Sequence, residues 1–300
     1  MTTLNSGTKF SFDLLAGALT GRDTARATGT LHVMGNPGGR IHLRDGGIVA
    51  VESAGSPGPD ALLLRSGRIS ESDWTTALSA GAELRSHQAE LVARGCIGST
   101  ALQVVAMMAA HDAAFTLVAG DIERCLLTAD AHDIAIPMNA PVEPVRLLQE
   151  TSRRLSALFA LPHPLSPHRE RVAPTRGLHQ IERELSPARR EILVHASGRR
   201  CARDIAFVCG RSVYAVTIEV CRMVGDGLLT VVSGTSISGP ATDRTPALRP
   251  RRPARPPLPP APQNPPPKPI GDAGDDVPLP RSLRRQLLPR LFKQGERKKL

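Results

Sequence analysis

The chain has 300 residues, enough for one or two folded domains, and its 41% hydrophobic content allows at least part of it to bury a core. Only 3% is aromatic, with one Trp and one Tyr, which calls for an aliphatic core and argues against a base-stacking platform for single-stranded nucleic acid. The formal net charge of +10 is uneven, −3 over residues 1–160, +4 over 161–240 and +9 over 241–300, and so directs any anionic partner to the C-terminal end.

The first ordered signal along the chain is a β-meander. Thr30 to Met34, Arg40 to Arg44 and Ile48 to Glu52 alternate or run apolar, with turns at Gly35 to Gly39 and at Asp45-Gly46-Gly47. Asp-Gly between such runs marks a hairpin, because both central positions of the tight turn take positive φ. Such short strands need a second layer to be stable. Helices follow. Ser70, with Asp73 three residues on, caps a helix reaching Leu78, and a second runs from about Glu83 to Arg94. A third, about Ser99 to Ala114, carries Leu102, Val105, Ala106 and Ala109 at helical spacing, and Phe115 to Val118 reads as a strand.

A weak internal repeat aligns Leu63 to Ser70 with Leu91 to Gly98. In each, a helix stops at a Gly, one residue intervenes, an Ile packs down and a new helix begins. Gly67 and Gly95 are thus read as left-handed helix stops.

A longer helix, within 140–161, aligns Val145, Leu148, Leu155, Leu158 and Phe159, and Pro162 to Pro167 opens a linker over 162–177. Residues 178–238 then read as helix, short helix, tight turn, helix and a small hairpin, the last formed by Leu228 to Val232 and a return strand over Thr235 to Ser238. That is the order of a winged helix-turn-helix. From Gly239 to Leu300 the sequence is Pro- and Arg-rich, favours extended polyproline II, and is expected to be a disordered basic tail. The expected fold class is α+β: a small antiparallel sheet with a helical insertion over 10–135, a connecting helix, a linker, a winged-helix unit and the tail.

Gly29 to Leu31, Gly39 to Leu43, Asp45-Gly46, Ile48 to Val51 and Asp60 to Leu62 together resemble the PATAN family, over about residues 10–130. The resemblance implies a protein–protein interaction module of bacterial signalling with no catalytic residues. Leu185 to Ile192, Arg203 to Ala206 and Gly210 to Val213 are similar to the winged-helix domains that follow such modules in actinobacterial regulators.

The chemistry-bearing motifs sought are missing from the sequence: no P-loop, no Gly-x-Gly-x-x-Gly after a strand, no Gly-x-Ser-x-Gly elbow, no His-Glu-x-x-His. His111-Asp112 and His132-Asp133 read as helix-surface or loop residues, and His163 and His168 lie in Pro-rich sequence unsuited to rigid metal geometry. No cofactor and no enzyme activity is expected. The five cysteines form no CxxC pair and are read as reduced thiols of a cytoplasmic protein. The longest apolar run, Ala101 to Ala110, is about half the length of a membrane span, so no span is expected.

The candidate interface is therefore one with DNA. Arg199, Arg200 and Arg203 would meet the backbone, while Arg211, Ser212, Tyr214, Thr217 and Arg222 would lie on the recognition helix. Glu219 on the same helix weakens its basic face, which leaves a second reading open: a signalling adaptor whose folded units bind proteins.

Overall fold

The structure, a computed structural model, describes residues 6–84, 87–130, 134–177 and 184–232. All of them fall in one compact unit, Met1–Ser238. It is α+β, and its larger sheet is four-stranded and antiparallel, in the order β3-β2-β1-β4, where β4 is Asp121–Thr128. Strands β1 (Gly29–Asn36), β2 (Gly39–Arg44) and β3 (Gly47–Ser53) form the expected meander. The β2–β3 turn is Asp45-Gly46, with φ of 50° and 79°. Glycine is required at the second position on two grounds: the positive φ, and a Cβ there would lie 2.2 Å from the Ala25 carbonyl oxygen.

The middle of the sheet is covered on both faces, since consecutive residues, Ile41 to Leu43 of β2 and Ile48 to Val51 of β3, are all buried. Leu31 faces Ile41 and Leu127, and Ile41 faces Val51. Helix α1 (Ser6–Thr20), for which the meander-first reading has no counterpart, packs against the fourth strand. It buries Ser11, Leu15 and Leu19, one narrow i, i+4, i+8 stripe. The Ser11 hydroxyl closes the junction by donating to the Gly120 carbonyl (3.2 Å) and accepting from the Ile122 amide (3.0 Å).

Helices α2 (Pro59–Arg65), α3 (Glu71–Leu84) and α4 (His87–Ala93) form the helical insertion. Ser70 caps α3 as expected: its hydroxyl accepts from the Asp73 amide at 3.1 Å and donates to the Asp73 carboxylate at 2.6 Å. The internal repeat is structural. Gly67 and Gly95 both have φ of 69°, and each stop carries the same bond pair, Gly67 N–H to Leu64 and Arg68 N–H to Leu63, against Gly95 N–H to Val92 and Cys96 N–H to Leu91.

Helix α5 (Ser99–Ala119) is the axle of the fold and packs against β3. It continues through Phe115 to Val118, which were expected as a strand; the strand is instead β4 (Asp121–Thr128). Every residue from Asp112 to Val118 is buried, so the helix has no solvent face there and its periodicity is invisible in sequence. With a mean hydropathy of 1.5 over an 18-residue window, α5 is long and apolar enough to cross a membrane, but 67% of that window is buried inside the protein.

Helix α6 (Pro144–Phe159) matches the connecting helix, with its buried stripe at Leu147, Leu148, Thr151, Leu155 and Leu158; Val145 is exposed. The segment 162–177, expected as a linker, contains β5 (Arg171–Pro174). The helices that follow are α7 (Pro187–His195), α8 (Ala202–Cys209) and α9 (Val213–Gly225), and then β6 (Leu229–Val232). Strand β6 pairs antiparallel with β5, with Val172 opposite Val231. The expected return strand at 235–238 and the tail at 239–300 lie outside the described residues. Buried residues from Leu15 to Leu229 form one hydrophobic cluster, so the described parts of 10–135 and 178–238 share a core and are not packed as separate domains.

Candidate nucleic-acid interface

Helix α8 ends at Gly210, whose φ of 61° and ψ of 40° put it in the left-handed region. A Cβ on Gly210 would lie 2.4 Å from the Arg65 Cβ, so this turn also sets the approach of α2. Three residues, Gly210 to Ser212, join α8 to α9. Ser212 caps α9 by accepting from the Ala215 amide at 3.3 Å.

The start of α9 is held against α5. Asp112, from the middle of α5, is 1% exposed and receives three donors from it: the Ser212 hydroxyl (2.8 Å), the Val213 amide (2.6 Å) and the Tyr214 amide (2.9 Å). A buried carboxylate set against the positive end of a helix is a charge-assisted contact. Burial pushes the Asp112 carboxyl above its ordinary value, while the Tyr214 amide, the Ser212 hydroxyl, the Val213 amide and Arg154 all pull it down.

Arg154 on α6 completes the arrangement. Its terminal nitrogen lies 3.7 Å from Asp112, an ion pair too long for a hydrogen bond. Its guanidinium carbon sits 4.9 Å from the centroid of the Tyr214 ring, and Glu150 accepts from its Nε at 2.8 Å. Phe115 meets the other side of the cluster edge-to-face with Tyr214, centroids 5.3 Å apart at 76°.

The candidate residues therefore divide. Ser212 and Tyr214 are drawn to α5, and Thr217 is fully buried, its hydroxyl donating to the Val213 carbonyl at 2.7 Å. Of these three positions, expected on a DNA-facing helix surface, Thr217 is interior, and Ser212 and Tyr214 are half-buried and engaged with α5. The arginines stay outside. Arg199 is exposed, Arg200 reaches the His195 carbonyl at 3.4 Å, and Arg203 pairs with its neighbour Asp204 at 3.0 Å. Arg211 pairs with Glu191 at 3.1 Å, and Arg222 lies 3.6 Å from Glu219. Glu219 also binds Arg189, which bridges to Asp226 at 2.9 Å. The exposed face of α9 is thus close to neutral. The backbone holds Arg171 beside the Arg199–Arg200 segment: the Val172 amide donates to the Arg200 carbonyl (3.1 Å) and the Gly198 amide to the Val172 carbonyl (2.8 Å).

Asp112 is the residue that sequence reading misplaced as surface. One signal was available: a single acid flanked by Ala109-Ala110 and Ala113-Ala114 within a long apolar helix must be paired if it is buried. Elsewhere, a cavity of about 290 Å³ lies between β3, the Ser53–Asp60 loop and 134–136, with Glu52 and Asp60 in its lining. Glu52 there is bound to Arg40 at 2.7 Å. Among the described residues no cluster of three or more His, Cys, Asp or Glu could hold a metal ion.

Compared with protein-family models, curated proteins and solved structures, the chain matches none.

Proposed function

We propose that the chain is a non-enzymatic cytoplasmic regulatory protein whose α7–α9 region, with β5 and β6, acts as a winged-helix-like module that engages DNA. Its N-terminal body, PATAN-like in sequence, receives a signalling partner. The observation that carries this reading is the α8–α9 corner: two helices joined by three residues with a left-handed Gly210, backed by an antiparallel strand pair. The cations around the start of α8, exposed Arg199 and Arg171 with half-buried Arg200 and Arg203, support contact with phosphates.

A second reading is favoured by one specific observation. Glu219 is paired with both Arg189 and Arg222, and Ser212, Tyr214 and Thr217 point inward, which suits a protein-binding adaptor better than a base-reading helix.

The test is titration of a labelled mixed-sequence duplex with the full chain and with the Arg199→Ala, Arg200→Ala, Arg203→Ala triple variant. DNA engagement predicts binding by the wild type and a loss of about tenfold or more in the variant. Absence of DNA binding by the wild type leaves the adaptor reading.

A further inference from the structure

Strand β3 is an edge of the larger sheet, and the chain returns along that edge after β4. The Met138 amide donates to the Val49 carbonyl, and Ile48 and Val142 exchange two backbone bonds, all at 2.8 Å. Gln103 of α5 holds the returning segment, accepting from the Asn139 amide at 2.6 Å and donating to the Pro137 carbonyl at 3.3 Å. Among the described residues, no backbone bond joins 134–136 to β3, and the cavity of about 290 Å³ occupies that gap. The Ser53–Asp60 loop forms its other side and is anchored where it leaves the strand. There the Ser53 hydroxyl donates to the Gly38 carbonyl (2.9 Å) and accepts from the Gly55 amide (3.0 Å). Gly55 lies so close to Pro37 that a Cβ on it would be 2.6 Å from the proline ring. Walls held in this way make a preformed site.

The lining sorts by chemistry. Buried Val51, Ala106 and Ile136, with Ile134, give it an aliphatic surface. Ser56 also lines it and is 5% exposed, and its hydroxyl has no hydrogen-bond partner among the described residues. A buried hydroxyl of this kind takes its partner from what occupies the cavity. Asp60 is exposed at the rim and makes no hydrogen bond or ion pair with another described residue. Glu52, the other acid, is already taken up by Arg40 at 2.7 Å and faces His42 at 3.5 Å. No Lys, Arg or His lines the cavity among the described residues. A negative ligand would therefore meet the Asp60 carboxylate with no cation beside it, and a purely apolar one would bury the Ser56 hydroxyl unpaired. An ammonium group, with three donors and a positive charge, satisfies both residues.

We propose that this cavity binds a small aliphatic amine, its ammonium group held by the Asp60 carboxylate and the Ser56 hydroxyl and its hydrocarbon part against Val51, Ala106, Ile134 and Ile136. The volume has room for roughly ten non-hydrogen atoms, taking each at the liquid volume of a water. The net charge of −3 over residues 1–160 does not oppose a cation there. The site gives the N-terminal body a small-molecule input that does not depend on whether α7–α9 engages DNA.

The test is calorimetric titration of the full chain at neutral pH with n-pentylamine, n-pentanol and pentanoate. Wild type, Asp60→Asn and Ser56→Ala are compared, each first shown to unfold cooperatively. The amine should bind the wild type, the alcohol about tenfold more weakly for want of a charge-assisted contact, and pentanoate not at all. Asp60→Asn should weaken the amine by about tenfold and leave the alcohol unchanged, and Ser56→Ala should weaken the amine to a smaller degree. Equal affinities for amine and alcohol would overturn the proposal, as would an amine affinity unmoved by either substitution. Failure of the amine to bind the wild type would overturn it outright. Should Ser56→Ala fail to fold, Asp60→Asn, at an exposed position, decides alone.

Discussion

The carboxylate of Asp112 on α5 lies 2.6 Å from the amide nitrogen of Val213, the first residue of α9. Two parts of the chain that sequence reading separates by a linker therefore share a buried charge as well as a hydrophobic core. Removal of that charge should be costly. Asp112→Ala leaves the Val213 and Tyr214 amides and the Ser212 hydroxyl without their acceptor, and removing one partner of a buried charged contact costs about 3–5 kcal/mol. Urea unfolding of the variant should show a correspondingly lower midpoint, with a smaller decrease for Asp112→Asn. A midpoint within error of wild type for Asp112→Ala would mean that the contact contributes nothing to the fold.

The glycine stops separate backbone strain from crowding. A Cβ on Gly95 meets nothing within 4 Å, so Gly95→Ala should cost only the left-handed conformation, about 1 kcal/mol. Gly210 has the same backbone need, and its Cβ would overlap Arg65, so Gly210→Ala should cost clearly more. Thermal unfolding of the two variants side by side checks the order, and a larger loss for Gly95→Ala would contradict it.

Acid should weaken the protein in two stages. The His168 Nε2 lies 3.0 Å from the Thr116 carbonyl oxygen, while its Nδ1 is buried without a partner among the described residues. Burial lowers the His168 pKa from its ordinary 6.5, so folding favours the neutral ring. A lowered histidine contributes stability that is complete above the unfolded value and is lost as pH falls through the folded one. The Arg153 hydrogen bond, with help from Arg154, holds the Glu150 carboxyl down at about 2 against an ordinary 4.5. That contribution is complete above 4.5 and is lost as pH falls toward about 2. Denaturation midpoints measured against pH should show both stages. His168→Gln should flatten the upper stage and Glu150→Gln the lower, and profiles unchanged by either substitution would show that other groups titrate.

The salt bridges around α9 make a prediction about charge. Arg189→Ala frees Glu219 and Asp226 from their shared cation and leaves Glu219 facing Arg222 alone. The module then becomes more acidic at its exposed face, so DNA affinity should fall, and stability should fall with it, because the Arg189 and Glu219 side chains are only 26% and 23% exposed. A gain of DNA affinity would show that Arg189 has no part in the basic surface.

What the sequence disclosed, and what it hid, follows from where each signal lives. Asp45-Gly46, Ser70 with Asp73, and Gly67 and Gly95 act through local backbone chemistry, and each stands where a reading of neighbours puts it. Helices α7, α8 and α9 were also legible, since their stops at Ser197-Gly198, Gly210 and Gly225 to Gly227 are local. The misses are non-local. Phe115 to Val118 is buried on every side and shows no period. Helix α1 buries so narrow a stripe, with Ser11 inside it, that amphipathicity is faint. Strand β5 exists because β6 lies beside it, which no window around Arg171 contains. The role of Asp112 depends on a helix start a hundred residues later, and so do the inward positions of Ser212, Tyr214 and Thr217.

The most direct test of DNA engagement is the salt dependence of duplex binding by the full chain, with and without residues 239–300. Each neutralised phosphate contributes about 0.9 to the slope of log affinity against log salt. The account predicts a steep negative slope that survives removal of 239–300 and flattens by about 2 to 3 when Arg199, Arg200 and Arg203 are replaced by Ala. A chain lacking 239–300 that shows no salt-sensitive affinity for DNA would contradict it.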